Sequence, residues 1–367
     1  MRAECPESCA EDAIGGTALD AVFTTIRLKE PSMLSLLSPA LSRVARCFTV
    51  ITLAALAACA NDSPSSRVLA PASPSLAKSG GGSTQRILFS SNIDAINSSF
   101  TLDVYSMNPD GTGITRLTNS SAFDGEARWS PDGKRIAFAS DRDKAGGDIY
   151  VMNADGSHVT RLTSDPGFFE EPTWSKDGKQ IAFVSTRDAA DPTAFNTADY
   201  EIYVMNADGT NIVRLTNNSV ADGQPAWSAD GRQIAFVSGR DHVGTGATDV
   251  YVMNADGSNV VRLTTQGGLL ERPSWDARSR RIAFSVNTDS PETGLFTIGA
   301  DGSGLTRLTF GGWGLDVNPS WSPDGTQLAY ICSAGGHSDV CLINADGTGV
   351  VKITSGAAQH VAVSWSR

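Results

Sequence analysis

The chain has 367 residues and a formal net charge of −11, with 36 glycines, 16 prolines and 19% charged residues. Its hydrophobic content of 40% suffices for a sizeable core and excludes a collagen, a coiled coil or a wholly disordered chain. The acidic excess argues against nucleic-acid binding and against a polybasic membrane-surface protein, because both use basic patches.

The first element is a short apolar run at residues 47–60, CFTVITLAALAACA, with Arg43 and Arg46 before it. A bilayer span needs about 20 apolar residues, so this run is typical of a secretory signal. Its end, LAAC at residues 56–59, resembles a bacterial lipobox, which implies lipidation of Cys59. A plain signal peptide is the alternative.

We expect three regions along the chain. Residues 1–58 hold the signal peptide, and translation starts at Met33 because a signal's basic region lies near its start. Residues 59–85 are rich in Ser, Pro and Gly and predict a disordered tether. Residues 86–367 form the folded domain. Ala60 after Cys59, in place of Asp, favours sorting to the outer membrane.

One repeat fills the folded domain, marked by Trp129, Trp174, Trp227, Trp275, Trp321 and Trp365. Its clearest copy predicts a strand A that carries the Trp and three further strands, B at Arg135–Ser140, C at Asp148–Met152 and D at Val159–Thr163. The turns SPDG and NADG place Pro where φ is near −65° and Gly where φ is positive. One Asp per turn gives too few oxygen ligands for calcium, so turn chemistry is the preferred interpretation.

The repeats begin with a strand B at Arg86–Ser91 and end with a strand A at Val361–Trp365. The sequence therefore predicts an all-β, six-bladed β-propeller of four-stranded antiparallel blades. The C-terminal strand completes the first blade, and closing the ring removes the exposed sheet edges that an open array of repeats would present. The B–C connections vary in length, with 11, 7, 15, 10, 7 and 6 residues, whereas the turns are uniform. We therefore expect binding on the B–C/D–A loop face.

Four segments carry a family resemblance: WSKDG at 174–178, IAFVS at 181–185, EIYVMNADG at 201–209 and RLT at 214–216. They recur over residues 86–366 and resemble the TolB-type six-bladed propellers with WD-like repeats. The resemblance implies a periplasmic protein that contacts partners through its propeller. TolB-type proteins carry an α/β domain ahead of the propeller, where this sequence has the tether. Similar propellers precede prolyl-oligopeptidase-like catalytic domains, and we expect no such domain here.

Candidate binding-rim residues fall into three groups: those three positions before a repeat Trp, an Arg after strand B, and residues of the D–A connections. Repeated Arg beside repeated Asp is also typical of structural ion pairs between blades. An exposed aromatic in the GGWG insertion would suit a peptide or a glycan. The candidates are Glu126, Glu171, Gln224, Arg272 and Asn318, then Arg142, Arg187 and Arg240, then Trp313 and His360.

Catalysis is the competing interpretation. His242, His337 and His360 could meet at the channel mouth, as the site of a metal-dependent polysaccharide lyase or a hydrolase requires. No His-x-x-His or Cys-x-x-Cys spacing supports a metal site, so we predict no catalytic residue and no cofactor, with calcium or another divalent ion in the channel as the alternative.

Cys332 ends a strand B and Cys341 lies in the next strand C. A two-residue turn at residues 336–337 would place them directly opposite each other, and an exported chain can oxidise them. We therefore predict a cross-strand disulfide, with two buried thiols as the alternative.

The predicted function is that of a monomeric envelope lipoprotein, anchored by its lipid alone, that binds a protein or an envelope glycan and no nucleic acid. An enzyme and a purely structural envelope protein are the other two classes.

Overall fold

The computed structural model describes residues 85–95, 101–193, 199–265, 268–287, 293–310, 315–334, 337–356 and 358–366. They form six sheets of four antiparallel strands. Neighbouring A strands contact one another around the full circle, so the sheets are the blades of a propeller. The predicted all-β six-bladed fold is confirmed. The predicted signal peptide, Cys59 and the tether up to residue 84 lie outside the described residues.

Each blade runs from an inner strand A to an outer strand D. The A strands are β4 (Asp124–Trp129), β8 (Phe169–Trp174), β12 (Asp222–Trp227), β16 (Leu269–Trp275), β20 (Asp316–Trp321) and β24 (His360–Trp365). The B strands are β1 (Ile87–Ser91), β5 (Arg135–Ser140), β9 (Gln180–Ser185), β13 (Gln233–Ser238), β17 (Arg281–Asn287) and β21 (Gln327–Ala334).

The C strands follow the varied loops. They are β2 (Asp103–Met107), β6 (Asp148–Asn153), β10 (Glu201–Asn206), β14 (Asp249–Asn254), β18 (Gly294–Gly299) and β22 (His337–Asn344). The D strands have two residues each: β3 (Thr115–Arg116), β7 (Thr160–Arg161), β11 (Val213–Arg214), β15 (Val261–Arg262), β19 (Thr306–Arg307) and β23 (Val351–Lys352). A 3₁₀ turn spans Ile93–Ala95. In the described part of the chain, no helix has the length and apolar character to cross a membrane.

Strand D is shorter than predicted because a side chain replaces the backbone ladder beyond Arg161. The Ile149 N–H donates to the Thr163 hydroxyl oxygen at 3.0 Å, and this hydroxyl donates to a carboxylate oxygen of Asp148 at 2.9 Å. The same arrangement recurs at Val104 with Thr118 and at Val250 with Thr264. The Thr of each RLT segment therefore ends the outer strand.

The ring is closed by β24, as predicted. It pairs antiparallel with β1, with Ile87 opposite Trp365 and Ser91 opposite His360. Beyond the ladder, the Ser366 N–H donates to the Arg86 carbonyl at 2.8 Å. Arg86 and Ser366, which this contact joins, are 280 residues apart in the sequence, so the C-terminal strand forms the inner strand of the first blade. Closure leaves no unpaired inner strand to template association.

The blades are held together by buried apolar clusters that cross their boundaries. One cluster joins Trp174, Ile181 and Phe183 of one blade to Ala137 and Ile149 of the blade before it. The indole N–H of Trp174 also donates to the Arg128 carbonyl of that preceding blade at 3.2 Å. The repeat Trp residues thus belong to the packing between blades.

The C–D turns use their acids as predicted, to satisfy backbone donors. In one of them, the Thr112 N–H and hydroxyl donate to Asp110 at 3.0 and 2.6 Å. These bonds lower the pKa of Asp110 below its usual value. The same pattern lowers the pKa of the other turn acids, Asp155, Asp208, Asp256, Asp301 and Asp346.

Cys332 and Cys341 form a disulfide in the structure, with Cα atoms 5.9 Å apart. The expected pairing directly opposite is wrong, because the ladder between β21 and β22 places Ala334 opposite His337. Cys332 therefore faces Asp339, and Cys341 faces Tyr330. The offset of two residues keeps both cysteines on the same face of the sheet, within disulfide reach.

A pH test of ring closure concerns His360, which is 2% exposed and packs edge-on against Phe89 at a centroid distance of 5.3 Å. Burial lowers its pKa to about 4, although Asp339 opposes the shift. An unfolded chain binds this proton near pH 6.5, so the stabilisation is complete above that pH and is lost as the pH falls towards 4.

We expect His360→Phe, which installs the residue of the equivalent position Phe169, to remove this loss. When the pH falls from 7.5 to 4.5, wild type should lose about 2 kcal/mol more free energy of unfolding than the variant does. Urea titration of both proteins at the two pH values measures this difference. His337→Phe, at an exposed position, is the control and should show no such gain. An equal pH dependence of His360→Phe and wild type would contradict the prediction.

Candidate functional site: the central channel

A cavity of about 120 Å³ lies in the central channel. All six repeat Trp side chains line it, together with a ring of prolines that precede them by two positions: Pro172, Pro225, Pro273 and Pro319. The cavity reaches Pro131 in an A–B turn. Because each strand A runs from the loop face to its A–B turn, the cavity occupies the turn half of the channel, opposite to the B–C/D–A face.

A bulge in every strand A shapes the channel. The residue three positions before the Trp has a positive φ, between 52° and 59°: Glu126, Glu171, Gln224, Arg272, Asn318 and Ala362. In β12 the ladder skips from Gly223 to Ala226, and two residues there face one on β13. The Pro that follows this residue in four blades is tolerated because the innermost strand presents a free edge to the channel.

The bulge residues of consecutive blades are linked by hydrogen bonds. The Glu171 N–H donates to Glu126 at 2.7 Å, the Gln224 N–H to Glu171 at 2.6 Å, and the Arg272 N–H to the Gln224 side-chain carbonyl at 2.6 Å. This chain then stops, because Arg272 has only donors. Among the described residues, the side chain of Asn318 makes no hydrogen bond.

Arg272 closes the chain across the channel. Its guanidinium donates to Glu126 at 3.0 Å, and both side chains are less than one-fifth exposed. Glu171 lies in the same ring without a salt bridge to Arg272. Burial and the charge of Glu126 raise the pKa of Glu171 to about 7, against the opposing charge of Arg272.

Arg128, directly before Trp129, also lines the cavity. One guanidinium nitrogen donates to the carbonyls of Val363 at 3.2 Å and Ala127 at 3.3 Å. Burial and the like charge of Arg272 lower its pKa to about 10. No carboxylate of the described chain lies within salt-bridge distance of it, although Glu126 and Glu171 attract it from farther away.

The candidate arginines after strand B lie apart from this cavity. Arg142 donates to Asp124 at 2.8 Å and Arg240 to Asp222 at 2.7 Å, in each case to the first residue of strand A in the same blade. Arg187 pairs with Asp165 at 2.9 Å, because Phe169 occupies the strand position of those acids. Arg142 and Arg240 therefore pair within their own blades, against the expectation of pairs between blades, whereas Asp165 belongs to the D–A connection between two blades.

The three candidate histidines have different surroundings, and none of them lines the cavity. His242 contacts Asp249 at 2.7 Å and Arg262 at 3.0 Å, His337 is exposed, and His360 is buried at the closing strand. The described residues include no group of three or more His, Cys, Asp or Glu side chains placed to hold a metal ion. Trp313 lies outside the described residues.

Sequence reasoning identified the bulge column but missed Arg128. The signal was present: the residues directly before the other repeat Trp are Thr173, Ala226, Ser274, Ser320 and Ser364, so Arg128 is the one charged member of its column.

Comparison with known proteins now settles the family. The model of the TolB beta propeller domain matches residues 84–188 and 192–367. The chain belongs to this TolB propeller family. No curated protein matches it significantly.

Solved structures share the fold of this TolB-type propeller. TolB from Acinetobacter baumannii is 23% identical over 77% of this chain, with a TM-score of 0.65, and the match spans 66% of its own length. A putative TolB from Agrobacterium tumefaciens is 20% identical over 78% of this chain and 100% of its own, with a TM-score of 0.56. A chain of a nidogen/laminin complex is 12% identical over 77% of this chain and 98% of its own, with a TM-score of 0.61.

The titration of Glu171 gives a test of the ring. Its folded-state pKa lies above the usual value of about 4.3, so the folded state binds the extra proton and the stabilisation is lost as pH rises through 7. Glu171→Gln keeps an acceptor for the Gln224 N–H, as Gln224 does for Arg272. We expect this variant to gain stability relative to wild type between pH 5 and pH 8 in thermal melts.

Asp208→Asn is the control for this titration. The pKa of Asp208 is lowered, so its titration falls below this pH window, and its difference from wild type should stay constant between pH 5 and pH 8. A difference between Glu171→Gln and wild type that does not change over the same window would contradict the prediction.

Proposed function

We propose that this chain is a lipid-anchored binding module of the bacterial cell envelope that holds a protein partner at its propeller. The observation that carries the proposal is the channel cavity. Its apolar wall consists of prolines and tryptophans, and its polar positions come from six different blades. Such a rigid, mixed surface suits recognition of an inserted side chain.

The position of the cavity favours the turn end of the channel as the contact surface over the B–C/D–A face. On that loop face, Arg142, Arg187 and Arg240 are each taken by a carboxylate, so they offer a partner little free charge. The wall of the cavity, in contrast, holds two guanidinium groups and one carboxylate. A glycan or a protein resting on the loop face would be a second contact.

The envelope location rests on the LAAC segment before residue 60 and on the family resemblance. Binding is favoured over catalysis because the candidate histidines lie in separate surroundings away from the cavity.

Blocking the cavity tests this function. Thr173 lines the cavity and its side chain makes no hydrogen bond among the described residues, so Thr173→Trp would fill the space without removing a bond. We expect the amount of partner that the variant captures from envelope extract to fall about tenfold or more below that of wild type. Quantitative mass spectrometry of the bound proteins measures this amount.

Thr160→Trp is the matched control, because Thr160 is exposed on the outer strand β7. Its bound proteins should equal those of wild type. Identical recovery with wild type, Thr173→Trp and Thr160→Trp would exclude the cavity as the contact surface.

A further inference from the structure

Arg128 occupies a position where the fold does not require a charge. The five sister blades fold around Thr, Ala or Ser there. Its guanidinium has five N–H donors in a fixed fork, and the two carbonyls that it meets are contacted by a single nitrogen. The other donors of Arg128 remain for a ligand on the cavity side.

The electrostatics of the cavity favour an anion beside Arg128. Arg128 and Arg272 both line the wall and repel each other. Glu126, which pairs with Arg272, lies outside the lining, and Glu171 is the one carboxylate that the described lining contains. An anionic group placed at Arg128 would offset the repulsion between the two guanidinium groups and form charge-assisted hydrogen bonds.

Hydroxyl groups supply further donors around the same space. Thr173 and Ser364 lie directly before their Trp residues, as Arg128 does, and line the cavity. Neither side chain makes a hydrogen bond within the described part of the chain. Guanidinium and hydroxyl donors together match the oxygens of a carboxylate.

We propose that the cavity binds the carboxylate of an Asp or Glu side chain from a partner peptide, with Arg128 as its main contact. This inference rests on the proposed function and adds the chemistry of the ligand. A peptide side chain is favoured because the volume of about 120 Å³ accommodates one slender group, and because the proline and tryptophan walls suit its methylene stem.

The test uses the peptides Ac-Ala-Glu-Ala-NH2 and Ac-Ala-Gln-Ala-NH2 with the full-length protein at pH 8. Binding is followed by intrinsic tryptophan fluorescence, since all six repeat Trp line the cavity, and by saturation-transfer NMR. We expect the Glu peptide to bind at least about tenfold more tightly than the Gln peptide, as is typical of a charged hydrogen-bond pair.

Two variants assign the preference to the cavity. Arg128→Ser installs the residue of three sister blades, so it should fold, and it should bring the Glu/Gln affinity ratio close to one. Glu171→Gln removes the carboxylate that repels the ligand and should raise the affinity for the Glu peptide several-fold. Arg280→Ser, at an exposed Arg of an A–B turn outside the cavity, is the control and should leave the ratio unchanged.

Equal binding of the two peptides to wild type, absence of binding, or a ratio that survives in Arg128→Ser would each overturn the carboxylate proposal. The partner-capture experiment separates this failure from failure of the proposed function. If Arg128→Ser retains the partner while Thr173→Trp loses it, the cavity is the contact surface and the carboxylate proposal alone is wrong.

Discussion

The bulge in strand A is the constraint on which the rest of the propeller depends. A positive φ three residues before each Trp turns the strand, and the Trp then packs between its own blade and the one before it. The left-handed region is unfavourable for residues with a side chain, so the strain at these positions needs compensation elsewhere in the fold. Three of them have it in the hydrogen bonds from one bulge N–H to the preceding bulge side chain.

The bulge positions form two arcs around the channel, one with hydrogen bonds between consecutive bulges and one without them. Between Glu126 and Arg272, side-chain oxygens meet the backbone donors of the next blade. Beyond Arg272 the column changes to Asn318 and Ala362, and no described side chain accepts a bond from the bulge N–H groups there. The ion pair between Arg272 and Glu126 joins the two ends of the first arc. A protein built from near-identical repeats thereby acquires one asymmetric site.

Much of the fold was predictable because the repeated segments indicate the strands of each blade and the number of blades. The half-repeats at Arg86–Ser91 and Val361–Trp365 require ring closure, and strand β5 has the bounds that its sequence predicted. The length of strand D was overestimated, because the Thr163 hydroxyl accepts a hydrogen bond from the Ile149 N–H in place of a backbone carbonyl. Sequence periodicity does not reveal this replacement. The disulfide register also differed, because a shift of two residues preserves the alternation of buried and exposed positions.

Arg128 was missed for a related reason: a bulge interrupts this alternation, so the side chains facing the channel cannot be read from period two.

Amide hydrogen exchange of the six bulge residues tests whether hydrogen bonds between consecutive bulges stabilise the ring, because each amide reports whether its N–H has an acceptor. We expect slow exchange for Glu171, Gln224 and Arg272, whose N–H groups donate to the preceding bulge side chain. We expect faster exchange for Glu126, Asn318 and Ala362, whose N–H groups donate to no side chain of the described residues. Equal protection of all six amides, or the reverse order, would contradict the proposed role of these hydrogen bonds.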